Sequence, residues 1–371
     1  MRVLILTASY GSGHNEAARS LAAGFAGRGV EAVVVDHFRD LVHPLFERAT
    51  RGLYMALLRH APVVWSAAYA LGDWLSSDSP LAFGLTRLGA ARLGARLETL
   101  RPDAVVSVHA TPAAAMSALA GEGRRLPPHT TVVTDFVAHS QWIARGIDHY
   151  CVAAEEVGHE FVARGIPRAR VSVTGVPIRA EFARPVDAAA ARAALGLRAE
   201  APVVLAMAGS HGSVGRLPEV ARALGRLPAP MQAIVVAGRD AALAARLRRL
   251  TAGAPIRVAG YVDDVRTLMA AADLLVTKAG GMTLAEALAA EVPLLLYGSL
   301  PGQERRNERF ASRAGVALAA RSRRDLARLL ERALAEPELL EHLRERSRRV
   351  RRPDSTRRIV DEVLAGHRLR R

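Results

Sequence analysis

Thr277-Lys278-Ala279-Gly280-Gly281-Met282-Thr283 joins the two patterns that decide the fold. Before it, Ala271–Thr277 (AADLLVT) ends in a short apolar run of the kind that forms a buried strand. After it, TLAEALAAE is a run of strong helix formers. Two glycines between them permit a tight turn, and the helix beyond offers free amide N–H groups and the positive end of its dipole. A diphosphate fits such a place. Lys278 is the only lysine in a chain with fifty arginines, and a compact ammonium suits a site where a planar guanidinium does not. Strand-Gly-Gly-helix is common in α/β proteins, so the run alone marks an anion cradle and no more.

Outward from this run, short β-branched stretches alternate with helical patterns along the chain, the signature of parallel sheets wrapped by helices. One series of strands is expected at Val3–Thr7, Ala32–Asp36, Ala104–Val108, Thr131–Thr134, Tyr150–Ala153 and Val171–Thr174. A second is expected at Val203–Ala208, Gln232–Ala237, Ile256–Ala259, Leu274–Thr277 and Leu294–Tyr297. Between them Gly175–Phe182, followed by Pro185, reads as an extended joint. The fold class is therefore α/β, with an N-terminal domain over 1–180 and a C-terminal domain over 181–371. The final helix, about Asp354–Gly366, fits either domain. One segment breaks the rhythm: no strand pattern occurs between Leu41 and Leu100. There Trp65, Tyr69 and Trp74 recur at helical spacings with Arg48, Arg51 and Arg59 nearby. This helical insertion, about 42–100, suits either internal packing or a bilayer interface, where aromatic rings sit at headgroup depth.

Length and composition bound the rest. A chain of 371 residues exceeds one ordinary core. Cys151 is the only cysteine, so no intramolecular disulfide or cysteine-built metal site is possible and a reducing compartment is expected. No apolar run approaches the roughly twenty residues of a membrane-spanning helix. Of the net charge of +15, residues 301–371 carry +9, including Arg344, Arg346, Arg348, Arg349, Arg351 and Arg352. Such a cluster suits an anionic surface or plain solvation. No zinc-finger spacing, RNA-binding aromatic motif or helix-turn-helix supports nucleic acid as a partner. Gly11-Ser12-Gly13-His14 lacks the third glycine of a dinucleotide fingerprint, and no Gly-Lys-Ser/Thr occurs, so dehydrogenase and Walker-type kinase readings lose their support.

Gly260-Tyr261-Val262-Asp263-Asp264, TKAGGMTLAEAL from Thr277, and Pro301-Gly302-Gln303-Glu304 with Asn307 resemble the donor half of a known family. It comprises the glycosyltransferases related to monogalactosyldiacylglycerol synthase and processive diacylglycerol glucosyltransferase. Gly11–Ala17 is similar to that family's glycine-rich loop with its histidine, although Ser12 replaces a glycine. Asp135-Phe136 with His139 and Trp142 also matches. The likeness covers about residues 1–320. It implies the GT-B fold, two Rossmann-like domains with parallel sheets facing across a cleft. It also implies a UDP-sugar donor, UDP-glucose or UDP-galactose, and a diacylglycerol or related lipid acceptor at the inner, cytoplasmic face of the membrane.

On that footing each motif acquires an expected role. Gly280, Gly281 and Met282 offer amides to the diphosphate and Thr283 a hydroxyl, with Lys278 as electrostatic helper or brace. The resemblance gives Glu286 the ribose hydroxyls, and Gln303, Glu304 and Asn307 the hexose hydroxyls; without it, helix capping and solvation is the preferred reading of these last three. Tyr261 and Val262, after a strand, present backbone to the uracil edge. Gly209, His211 and Gly212 resemble the family's second phosphate loop. No Asp-x-Asp occurs, so stabilisation of the leaving diphosphate by the helix end is expected, without a metal or other cofactor. His14 is the leading candidate for the base, its alternative being a cap or diphosphate contact, and Asp135 and His139 are candidates to share the role. Gly13, Trp65, Tyr69, Trp74 and Trp142 are candidates for the acceptor or membrane side. Direct displacement predicts inversion. Alternatives on the same fold are N-acetylglucosaminyl transfer to a lipid-linked peptidoglycan precursor and a UDP-sugar epimerase or hydrolase.

Overall fold

The computed structural model of the chain describes residues 1–9, 12–61, 64, 88–144, 146–209, 216–228 and 230–368. The chain divides into two compact units, Met1–Ala180 with Asp354–Arg371, and Glu181–Pro353. Each is built on one six-stranded, all-parallel sheet.

In the first unit the order is β2-β1-β3-β4-β5-β6. The strands are β1 (Arg2–Thr7), β2 (Glu31–Asp36), β3 (Ala104–Ser107), β4 (His129–Val132), β5 (His149–Val152) and β6 (Val171–Val173). Val3 to Leu6 and Ala104 to Val106 are all fully buried or nearly so. Helices cover both faces of a parallel sheet, so central strands read as unbroken apolar runs instead of alternating ones. In the second unit the order is β12-β11-β10-β7-β8-β9. Here the strands are β7 (Val203–Met207), β8 (Gln232–Val236), β9 (Ile256–Ala259), β10 (Leu274–Thr277), β11 (Leu294–Tyr297) and β12 (Ala317–Ala320). The last of these was not expected from sequence. ALAA is a run of helix formers without a β-branch, and it becomes a strand by pairing Ala317–Ala320 in register with Leu294–Tyr297.

Both sheets reverse direction at one point, between β1 and β3 in the first and between β7 and β10 in the second. Loops leaving the carboxyl ends of such a strand pair diverge to opposite faces and leave a crevice, the usual place for ligands in open α/β sheets. The loop ahead of His14 follows β1. Gly209 and the Thr277–Thr283 run follow β7 and β10. The sequence motifs therefore sit at the two switch points.

The final helix, Ser355–Arg368, belongs to the first unit and packs on the helix Ser12–Ala26. Gly24 allows the approach: a Cβ there would lie 2.9 Å from Thr356 Cγ2. Thr356 Oγ1 donates to the Ile178 carbonyl, and Arg28 pairs with Asp361 at 2.6 Å. The preceding helix, Pro337–Val350, stays in the second unit and accounts for much of the basic tail. Arg348 reaches Glu291 and Glu341 at 2.7 and 3.0 Å, Arg351 reaches Glu291 at 2.8 Å, and Arg346 donates to the Ala314 carbonyl.

The described parts of the 42–100 segment are helical, at Pro44–His60 and Ala90–Leu100. Trp65, Tyr69 and Trp74 lie outside the described residues. On Pro44–His60, Phe46 stacks on Phe38 with centroids 6.2 Å apart, while Leu45 and Leu53 are 65 % and 61 % exposed. Ala49, Gly52 and Ala56 are exposed beside them, so one apolar stripe at helical spacing faces outward with Arg48 and Arg51 at its border.

Candidate active site

In the first unit the site grows from the carboxyl ends of β1, β3 and β4. The helix Ser12–Ala26 follows β1, which ends at Thr7, and places His14 in its first turn. Asn15 ties this turn to the sheet, accepting from Thr7 Oγ1 at 3.0 Å and donating to Ser9 Oγ at 2.9 Å. Ser9 in turn donates to the buried Asp36 carboxylate at the end of β2.

His14 Nδ1 lies 2.8 Å from the Val108 carbonyl, with Thr134 Oγ1 at 3.1 Å from the same nitrogen. A carbonyl only accepts, so Nδ1 carries the proton and the neutral ring presents its lone pair at Nε2. Burial pushes the His14 pKa below its ordinary value, against the opposing pull of the Asp135 carboxylate and the Val108 bond. The neutral form therefore prevails at neutral pH. The carboxylate is close enough to stabilise an imidazolium once one forms.

His109, which sequence reasoning did not single out, packs edge-on against His14 with centroids 4.6 Å apart. Its Nδ1 accepts from Thr111 N–H at 3.0 Å and caps the helix Ala110–Gly121. Burial, with His14 and then His37 adding like charge, holds its pKa well below the usual histidine value. Trp142 is buried, its ring 6.5 Å from both imidazoles, so it packs beside them and does not project from the surface. His139 is also buried, and its Nδ1 accepts from Gln141 N–H at 3.2 Å. That bond starts the short turn Ser140–Trp142, so the structure gives His139 a capping task. Gly13 adjoins His14 in the same helical turn.

In the second unit β10 ends at Thr277 and the helix Gly281–Ala289 begins four residues later. Ala279 is the fixed point of the turn between them. Its N–H donates to Ser299 Oγ at 3.2 Å and its carbonyl accepts from Asn307 Nδ2 at 3.0 Å. Asn307 is fully buried; the structure places it beneath the turn as a brace, not on the open side where a sugar contact was expected. No side chain caps the helix Gly281–Ala289, so the amides of Gly281, Met282 and Thr283 are left for a ligand, water or local turn. Gly280 itself has φ −69° and is tolerant in backbone terms. Glu286 is buried within the helix.

Lys278 pairs with Glu304, whose other carboxylate oxygen accepts from Leu300 N–H at 2.8 Å. Gln303 and Glu304 open the helix Gln303–Arg313, whose first turn also lacks a side-chain cap. Two uncapped helix starts and one ammonium thus meet at a single turn. Gly209, at φ +73°, closes the other side: a Cβ there would come within 3.9 Å of Lys278 Cε. His211 and Gly212 lie outside the described residues. Beyond β9, Tyr261 is exposed and carries the Arg239 guanidinium 3.8 Å over its ring, with Val262 half-buried next to it. Arg239 and Ser299 were not anticipated; both simply follow strands, and no spacing in the sequence links them to the glycine turn.

Comparison with known proteins fits this geometry. The monogalactosyldiacylglycerol (MGDG) synthase family profile matches residues 14–178, and that of glycosyl transferases group 1 matches 191–350. The processive diacylglycerol beta-glucosyltransferase of Bacillus mycoides is 31% identical over 366 residues, covering 98% of this chain and 93% of the relative. The chain belongs to this glycosyltransferase family. The enzyme of the same name from Bacillus cytotoxicus is 31% identical over 365 residues, with the same coverages. Among solved structures, MurG of Acinetobacter baumannii matches with TM-score 0.66 at 18% identity, covering 98% of this chain and 99% of that one. MnaA of S. aureus, solved with UDP, matches with TM-score 0.65 at 13% identity over 98% and 95%. HepE of Anabaena, solved with UDP-glucose, gives 0.58 at 15% identity over 99% and 100%. At these identities the likeness fixes the GT-B fold alone. This glycosyltransferase is thus of the two-sheet class that its motifs imply.

Proposed function

We propose that the protein transfers a hexose from a UDP-sugar to the hydroxyl of diacylglycerol or of a glycolipid built on it, with inversion. The observation that carries this reading is the fixed tautomer of His14: with Nδ1 committed to the Val108 carbonyl, Nε2 is a neutral acceptor at the switch point of the first sheet. The acceptor oxygen attacks the anomeric carbon as the bond to the diphosphate oxygen breaks. The hydroxyl proton passes to Nε2, and Asp135 stabilises the imidazolium. Negative charge grows on the departing UDP, where the amides of Gly281 to Thr283 and the Lys278 ammonium favour the transition state over the bound donor. No metal is needed for that step. Direct displacement on an α-linked donor yields a β-glycoside.

The names of the relatives favour glucose as the hexose. The platform of Tyr261 and Arg239 suits a base, and Glu286 with Gln303 suits ribose and hexose hydroxyls. Action at a membrane surface is supported by the exposed stripe Leu45–Leu53 with its flanking arginines, a pattern that lies well in a lipid interface. Among the described residues no helix is long and apolar enough to cross a membrane. The first unit is assigned the lipid acceptor and the second the donor.

Incubation with UDP-glucose or UDP-galactose and diacylglycerol in phospholipid vesicles, followed by mass analysis of the lipid extract, tests the reading. Hexosyl-diacylglycerol is expected from at least one donor. Folded protein that yields no glycolipid from either donor, or that releases UDP equally without lipid, contradicts it.

A further inference from the structure

We propose that the second unit carries a separate oxyanion site, for a ligand of the phosphate class, at the end of its sheet opposite the glycine turn. A cavity of about 670 Å³ opens there, with Ala272 and Asp273 in its wall. Asp273 immediately precedes β10, whereas Lys278 follows it, so the four residues of that strand, about 13 Å, separate the cavity from the cradle.

Five arginines line the cavity: Arg184, Arg192, Arg266, Arg344 and Arg351. Three carboxylates face them, and each is already engaged. Asp273 holds Arg192 at 2.7 Å and the Val203 N–H at 2.8 Å. Glu291 holds Arg351 at 2.8 Å, and Glu341 holds Arg344 at 3.4 Å. Arg266 donates to the backbone carbonyls of Arg184 and Pro185, the latter at 3.0 Å, and Arg184 stands exposed at the rim. The lining thus carries an excess of two positive charges. Guanidinium groups cannot deprotonate, and each retains N–H donors beyond those in its pair. A dianionic phosphate matches both the charge excess and the forked donor geometry.

The position gives such a ligand a consequence. The chain enters the second unit at Glu181 and leaves it at Pro353, and both Phe182–Val186 and the Arg351–Pro353 end contribute to the lining. A bound oxyanion would tie the entry segment to the exit segment.

Thermal unfolding in saturating UDP, which keeps the donor cradle filled, separates the two sites. Inorganic phosphate titrated against chloride of equal ionic strength should raise Tm saturably, by about 3–5 °C well above its dissociation constant. The Arg184→Gln/Arg266→Gln double variant should lose that rise while keeping its stabilisation by UDP. Should the double variant not fold, Arg184→Gln alone, at the exposed rim, should weaken the phosphate midpoint about tenfold, the loss of one charge-assisted contact. A phosphatidic acid arm distinguishes the source: sedimentation with phosphatidic acid vesicles that depends on these arginines assigns the site to a lipid headgroup, and phosphate stabilisation without it assigns it to the free ion. A phosphate response unchanged in the variants, or no response of wild type to either probe, overturns the proposal. Loss of the UDP response in wild type would instead count against the donor assignment.

Discussion

The two switch points share one plan, a strand followed within a few residues by a helix, yet their interiors are opposite in chemistry. Around His14 the first unit gathers imidazoles and an indole with the Asp135 carboxylate nearby, and burial keeps the histidines neutral. Around Gly280 the second unit gathers backbone amides, two helix starts and one ammonium–carboxylate pair. The first arrangement suits taking up a proton, the second suits meeting charge that is already negative. The same fold element is thus specialised by what it is lined with, through burial on one side and fixed dipoles on the other.

The comparison is sharpest if each side can be damaged alone. His14→Ala should lower transfer by about 10³-fold, the scale of a lost general base, while UDP affinity measured by calorimetry changes less than about twofold. Glu304→Gln should do the reverse. It leaves Lys278 without its carboxylate in a largely buried turn, so the donor KM should rise about tenfold, and unfolding should show a loss of about 2 kcal/mol. If either variant damages both sides equally, the division of labour fails.

Stability against acid separates the units as well. His37 is fully buried with its pKa lowered to about 4, chiefly by burial. Unfolding raises that value to about 6.5, so the unfolded chain takes up the proton first and stability is lost as pH falls from 6.5 towards 4. This one group accounts for about 3 kcal/mol over that window. Denaturant melts across it should show the loss, and His37→Phe should remove about that share of it, while the other buried histidines of the first unit, His129 with its pKa lowered to about 3 among them, keep the remainder. The smallest effect belongs to the surface stripe. Leu45→Glu/Leu53→Glu should leave Tm and the turnover of a short-chain, dispersed acceptor unchanged, while vesicle binding in sedimentation falls about tenfold.

Much of this was legible in the sequence because parallel strands buried on both faces announce themselves as apolar runs. Leu274–Thr277 and Leu294–Tyr297 are read directly. Ala317–Ala320 is not, since its strand state comes from its neighbour in the sheet and not from its own residues. The site was legible where a motif is local, as at Gly280-Gly281 or Gly13-His14. Partners joined by topology were hidden. His109 stands 95 positions from His14 and meets it only because β3 pairs with β1. Asn307 was expected to face the sugar, but its amide is drawn under the turn by the buried Ala279 carbonyl, a need that no sequence pattern displays.

The central claim, that a neutral His14 accepts the proton, is tested most directly by the pH dependence of kcat/KM for the lipid acceptor. Because the folded pKa of His14 is lowered from 6.5, the rate should be flat above that pH and fall with a one-proton slope only below it. An acid limb that begins above pH 7, or one that persists unchanged in the residual activity of His14→Ala, would contradict it.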